Sequence, residues 1–262
     1  MMNILSVENL TVAAGSKILV NKVSFDVPQG KIVAIAGGSG SGKTTIGLSI
    51  LRLLPAALSI KQGGIIFEGR DLLNLTAQEM RHYRGARIGM VFQEPLSAFD
   101  PLFTIGQQLD EVLAAHTRLS RQERYQKILD ILSEVELPDL KRSYKSFPHQ
   151  LSGGMRQRAM VAQAMIGGAS LIIADEPTSS LDVTLQAKIM ELFVRLKKKN
   201  ISIILIAHDL GMIARLADEV IILREGILVE KGPVAQMIQN PRHEYTRELI
   251  DASSCTIRIP QC

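Results

Sequence analysis

The chain has 262 residues, a net charge of +4 and ordinary apolar (46%) and charged (21%) fractions, enough for a full hydrophobic core without disulfide staples. No apolar run approaches the ~20 residues that span a bilayer, and Met1 to Glu8 lacks the charged start and apolar stretch of a secretory signal, so a cytosolic protein that does not cross a membrane is expected. Few aromatics, no Trp and scattered Lys and Arg argue against a nucleic-acid partner; Lys197, Lys198 and Lys199 cluster at an expected helix end, where the helix dipole favours them.

Beta-patterned segments fill the first ~35 residues, with turns expected at Ala14-Gly15-Ser16 and Pro28-Gln29-Gly30. Lys31 to Ala36 reads as a short buried strand and Thr45 to Leu54 as a helix. Between them, Gly37-Gly38-Ser39-Gly40-Ser41-Gly42-Lys43-Thr44 fits G-x-x-x-x-G-K-[ST] at every fixed position. The strand-loop-helix setting distinguishes a phosphate-binding loop from a flexible Gly/Ser linker. The glycines let backbone N–H groups approach phosphates, and the helix N-terminus adds its positive dipole end. Lys43 is expected on the β- and γ-phosphates and the Thr44 hydroxyl on Mg²⁺, with Gly37 to Thr45 together contacting the nucleotide.

Gly63 to Gly69 reads as strand and turn, Ala77 to Tyr83 as a short helix, and Arg87 to Gln93 as a buried strand. From Thr104 to about Ser146 the period becomes helical, carried by Ile105, Leu109, Val112 and Leu113, then Ile128, Ile131, Leu132 and Val135: a helical insertion between two α/β halves. Strands at Leu171 to Asp175 and Ile203 to Ala207 alternate with helices beginning near Met155, Val183 and Leu210, which implies a mostly parallel sheet. Val220 to Lys231 reads as two short strands around Glu225-Gly226, followed by a small helix and a tail whose Cys255 and Cys262 are expected as free thiols.

Leu171-Ile172-Ile173-Ala174-Asp175-Glu176 has the form of a Walker B element. Asp175 can hold Mg²⁺, and Glu176, one residue nearer the γ-phosphate, can polarise a water as general base. Leu151-Ser152-Gly153-Gly154-Met155-Arg156-Gln157-Arg158 resembles the signature motif of ABC-type ATPases, with Met155 where Gln is usual. Ser152, Gly153 and Gly154 open a helix whose N-terminus can face a phosphate. The resemblance extends to Gln93 as the Q-loop glutamine that contacts Mg²⁺ and the attacking water. It also extends to Ser180-Leu181-Asp182 as the D-loop and to His208 as the switch histidine on the γ-phosphate. It implies a phosphate-loop α/β core with a mostly parallel sheet, an antiparallel β N-terminal subdomain and an inserted helical subdomain at about 94–158. The ATPase domain is expected over 1–250, with a tail at 251–262. It further implies ATP and Mg²⁺ as cofactors, and a head-to-tail dimer in which the signature of one subunit closes over the phosphate loop of the other. One departure is Ala14, where the family usually places an adenine-stacking aromatic.

Within the family, Gln93-Glu94-Pro95-Leu96-Ser97-Ala98-Phe99-Asp100-Pro101 and Phe147-Pro148-His149-Gln150 are similar to ATPases of oligopeptide, dipeptide and nickel importers. So is Asn240-Pro241-Arg242-His243-Glu244-Tyr245-Thr246, with Glu244 where Pro is usual. Only Cys255 and Cys262 stand where many peptide-importer subunits carry a longer tail with a cysteine cluster, which sets the expectation at nickel or nickel-chelate import, with peptide import as the alternative. The partners implied are a second, different ATPase subunit, two membrane permeases and an extracytoplasmic solute-binding protein, at the cytoplasmic face of the inner membrane. A soluble ABC ATPase acting on DNA or ribosomes is the rival from another class. Against it, the halves are joined by about sixty residues without sustained heptads, and there is one ATPase domain.

Overall fold

The computed structural model describes residues 2–179 and 181–253; Ser180, Cys255 and Cys262 lie outside the described residues. In chain order the elements are β1 (Asn3–Ala14), β2 (Lys17–Pro28), β3 (Ile32–Gly37), α1 (Lys43–Ile50), β4 (Leu58–Phe67), β5 (Arg70–Asp71), α2 (Ala77–Arg81) and β6 (Ile88–Val91). There follow α3 (Pro95–Ala98), α4 (Ile105–His116), α5 (Arg121–Glu134), α6 (Leu140–Lys145), α7 (Gly153–Met165), β7 (Leu171–Asp175) and α8 (Val183–Lys198). The last are β8 (Ser202–Ile206), α9 (Leu210–Leu216), β9 (Glu219–Arg224), β10 (Ile227–Pro233), α10 (Val234–Gln239) and α11 (Glu244–Ala252). The described residues form two compact units, one of those within 1–75 and 193–262 and one of those within 76–192. The expected α/β class is observed, with parallel strands, an antiparallel N-terminal sheet and a helical insertion.

In the first unit, β2, β1, β4 and β5 make an antiparallel sheet, and the β1–β2 hairpin closes at Ala14↔Lys17 around Gly15 and Ser16. A second set of strands runs β10, β9, β3, β8. Here β3 is parallel to β8 (Ile35↔Ile206) and to β9 (Gly37↔Leu223). Every residue of β3 and β8 is buried, as expected of parallel strands covered on both faces, which therefore read as unbroken apolar runs. Two polar side chains tie the entry to β3. Ser202 Oγ, fully buried, accepts the Gly30 amide at 2.9 Å. Asp218 accepts the Ile32 amide at 2.9 Å and the ammonium groups of Lys31 and Lys197 at 3.1 and 2.8 Å. Burial alone would raise the Asp218 carboxyl, but its hydrogen bonds from Lys197, Ile32 and Lys31 outweigh that and hold it below its usual value.

In the second unit, β6 and β7 are parallel, from Ile88↔Leu171 to Val91↔Ala174. Helix α7 lies so close to β6 that a Cβ on Gly89 would fall 2.1 Å from the Ala164 carbonyl oxygen. Helices α4 and α5 begin at capping boxes, Thr104 with Gln107 and Ser120 with Glu123, each satisfying two backbone donors reciprocally. They pack through Leu109, Leu113, Ile128 and Leu132, all fully buried.

Several boundaries differ from the sequence expectation, among them a strand that begins at Leu58 rather than Gly63 and a helix that ends at Ile50 rather than Leu54. The strand expected from Arg87 to Gln93 stops at Val91, where its ladder with β7 ends, so Phe92 and Gln93 are exposed beyond it. The helix expected from Thr45 begins at Lys43, because Gly42 at φ 96 turns the chain straight into it. One turn of helix, α3, follows Glu94, with Pro95 at its start, too short to leave a periodic signal. The single small helix near the end is two, α10 and α11, separated at Asn240 and Pro241 because proline cannot continue a helix.

Candidate active site

In the first unit the phosphate-type loop leaves the C-terminal end of β3. Gly37 is required sterically: a Cβ there would lie 2.2 Å from the Leu223 carbonyl oxygen. Gly42, at φ 96 with Leu19 O 3.0 Å from its virtual Cβ, is the N-cap of α1. It offers no side-chain cap, and no acidic residue occupies the first turn, whereas α4, α5 and α7 are capped by the hydroxyls of Thr104, Ser120 and Ser152. The loop therefore presents helix N-terminal donors suited to an anion, which fits the phosphates of a nucleotide.

Lys43 is 7% exposed, and its ammonium donates to the carbonyls of Gly37 and Gly38 at 2.9 and 2.8 Å. Ser39, Gly40 and Thr44 are exposed, Thr45 is half-buried and Ser41 is buried. The Gly226 amide donates to Ser41 O at 3.1 Å, bracing the loop with the β9–β10 turn. Exposed His208 follows β8. Because β8 runs parallel beside β3, His208 and the loop leave the same end of their strands, the end where open α/β sheets bind ligands.

In the second unit, parallel pairing of β6 and β7 brings Gln93 and Glu176 to one strand end. Gln93 Nε2 donates to the Glu176 carboxylate at 3.0 Å. Asp175, the last residue of β7, is buried at 3% exposure. Glu176 takes a left-handed conformation, φ 43, uncommon for a residue with a side chain and a mark of functional sites when the surroundings hold it. Here the turn is held by Ser179, whose amide and hydroxyl donate to Glu176 O at 3.2 and 3.1 Å.

The Ser152 hydroxyl caps α7, accepting the Met155 amide at 3.3 Å. Gly153 is exposed, whereas a Cβ on Gly154 would meet the Leu185 side chain at 2.9 Å. Asp182 caps the start of α8 through the Leu185 amide at 2.9 Å, and Ser180 of the same expected loop lies outside the described residues.

No group of three or more His, Cys, Asp or Glu that could hold a metal occurs among the described residues. Mg²⁺ bound to nucleotides needs no such cage, since one or two protein oxygens complete a shell supplied largely by phosphate and water. The exposed Thr44 hydroxyl and the Asp175 carboxylate are donors of that type. No helix among the described residues is long and apolar enough to cross a membrane.

The sequence pattern described as "ABC transporter" matches residues 20–179, more than half of the chain. The chain belongs to the ABC transporter family. It is an ATPase cassette of that family. It is similar to the dipeptide transport ATP-binding protein DppD of Bacillus subtilis (strain 168), 43% identical over 256 residues, covering 95% of this chain and 76% of the relative. The oligopeptide transport ATP-binding protein OppD of Lactococcus lactis subsp. cremoris (strain SK11) is 42% identical over 253 residues, covering 95% and 75%. The peptidoglycan transport ATP-binding protein YejF of Agrobacterium fabrum is 43% identical over 255 residues, and the chain spans 47% of its length. Among solved structures, the dimeric ABC cassette MJ0796, in a post-hydrolysis state bound to ADP and Pi, superposes with a TM-score of 0.78. It is 29% identical, over 88% of this chain and 98% of that one.

One contact of this ABC cassette escaped the sequence reading. The Tyr245 hydroxyl accepts the Gly38 amide at 2.9 Å, placing α11 against the phosphate loop. The segment Asn240 to Thr246 stood out only as a group-specific motif; neither periodicity nor spacing ties it to a loop two hundred residues earlier.

Proposed function

We propose that this chain binds and hydrolyses ATP to drive uptake of a peptide-class solute across the cytoplasmic membrane. The supporting observation is identity of 42–43% over 95% of the chain to ATP-binding proteins named for dipeptide, oligopeptide and peptidoglycan transport. This moves the solute from the nickel expected on tail length to the peptide alternative. The roles follow from residue chemistry and the family's motifs. Residues Gly37, Gly38, Ser39, Gly40, Ser41, Gly42, Lys43, Thr44 and Thr45 take the nucleotide phosphates. Glu176, already turned and hydrogen-bonded, draws a proton from the attacking water, and Gln93 orients that carboxylate. His208 donates to the γ-phosphate. Thr44, Gln93 and Asp175 are the side chains suited to Mg²⁺, which supplies neutralisation of phosphate charge. Ser152, Gly153 and Gly154 offer the amides and hydroxyl of a helix start to the nucleotide held by a partner subunit.

Residues 1–250 act as one ATPase domain with a helical subdomain at about 94–158. The partners are a second, different ATPase subunit, two permeases and an extracytoplasmic binding protein, with this chain peripheral on the cytoplasmic face. The deciding measurement is uptake of labelled dipeptide and of labelled nickel in a strain lacking this chain, complemented with the wild type or Lys43→Ala. Restoration of dipeptide uptake by the wild type alone is expected. Restoration of nickel uptake without dipeptide uptake would return the solute to nickel, and restoration of neither would remove the import role.

A further inference from the structure

The Gly37–Gly38 peptide is gripped from both sides. Its carbonyl accepts from Lys43 Nζ at 2.9 Å, and its N–H donates to the Tyr245 hydroxyl at 2.9 Å. The C=O and N–H of a trans peptide point in opposite directions within its plane, so the tyrosine sits at the opposite edge of the peptide from the ammonium and the two together fix the plane's rotation. Hydrogen bonds at both ends of one amide also polarise each other. There is no slack at this point, since a Cβ on Gly38 would lie 3.1 Å from that hydroxyl.

Tyr245 is itself placed by groups outside the loop. The Arg224 guanidinium lies over its ring, 5.0 Å from the centroid. Its amide donates to His243 Nδ1 at 3.1 Å, the N-cap contact of α11. The Glu230 carboxylate on β10 accepts the Arg242 and His243 amides at 3.0 Å each, anchoring the turn that delivers the helix.

We propose that Tyr245 is a positioning residue of the phosphate loop, acting through the Gly37–Gly38 peptide to set the Lys43 ammonium for the nucleotide phosphates. The segment from Arg242 to Tyr245 is on this reading part of the nucleotide site, although no motif of that site includes it. The proposal rests on the ATP-binding reading of the loop.

Tyr245→Phe removes one oxygen and leaves the ring under Arg224. In the full chain, a fluorescent ATP analogue is expected to bind about five-fold more weakly, the factor of one hydrogen bond. The melting temperature without nucleotide should stay within about 2 °C. Amide exchange at Gly38, read by NMR, should accelerate. In the assembled transporter KM for ATP should rise with kcat nearly unchanged. Arg224→Met, which loosens the ring without touching the hydroxyl, should weaken analogue binding in the same direction by a smaller factor. Equal affinity of Tyr245→Phe and wild type would overturn the proposal. So would a loss of affinity matched by a large fall in melting temperature with Gly38 exchange unchanged, the mark of a purely structural role. Failure of the wild type to bind the analogue is a distinct result and would overturn the ATP reading itself.

Discussion

Glu176 shows how the backbone and one neighbour fix a single side chain before any ligand is considered. Its left-handed conformation, φ 43, breaks the extended path of β7, and Gln93 Nε2 meets its carboxylate at 3.0 Å. Glu176→Gln keeps the shape and removes the proposed base. Hydrolysis in the assembled complex is expected to fall by about 10²- to 10⁴-fold while ATP-analogue affinity stays near wild type. An unaltered turnover rate would remove Glu176 from the reaction. Lys43→Ala should instead abolish analogue binding in the isolated chain, since it deletes the ammonium that the Gly37 and Gly38 carbonyls hold. Both residues were legible in the sequence because their motifs are short and local. Tyr245 was not, because what matters about it is a single hydroxyl arriving from α11.

At the scale of elements, legibility followed the physics of each signal. Strands β3 and β8 read directly, since burial on both faces demands an unbroken apolar run. Helices α4 and α5 read from periodic apolar residues, and the structure starts them at capping boxes on Thr104 and Ser120. The end of β6 did not, because a strand stops where its partner stops, and the ladder Val91↔Ala174 is a property of two segments. Ser202 illustrates the same dependence: nothing in its own sequence says that its hydroxyl, fully buried, accepts the Gly30 amide. Ser202→Ala leaves that amide without its acceptor and should cost ~1–2 kcal/mol, read as a lower urea midpoint at unchanged slope.

For the whole molecule, two carboxylates, Asp218 and Glu230, predict how stability responds to acid. Burial works against ionisation of Asp218, but Lys197, the Ile32 amide and Lys31 hold its carboxyl low. Burial likewise opposes Glu230, and the Arg242 and His243 amides, each 3.0 Å from its carboxylate, hold it low. A carboxyl whose value is lower folded than unfolded stabilises the fold above its unfolded value, and that contribution is lost as pH falls through the folded one. Stability is therefore expected to be level above about pH 5 and to decline below it, and Asp218→Asn should flatten the decline in denaturant titrations at several pH values. An equal acid slope in the variant would assign the effect to other groups. By itself the sequence determined the family, the glycine-rich loop between a buried strand and a helix, and the carboxylates that end another buried strand. These depend on contiguous residues whose spacing is their geometry. Only the tertiary structure decided that Gln93 meets Glu176, that His208 leaves the same strand end as the phosphate loop, and that α11 returns to grip the Gly38 amide. Each of these is a distance between segments remote in sequence, set by strand order and packing rather than by local pattern.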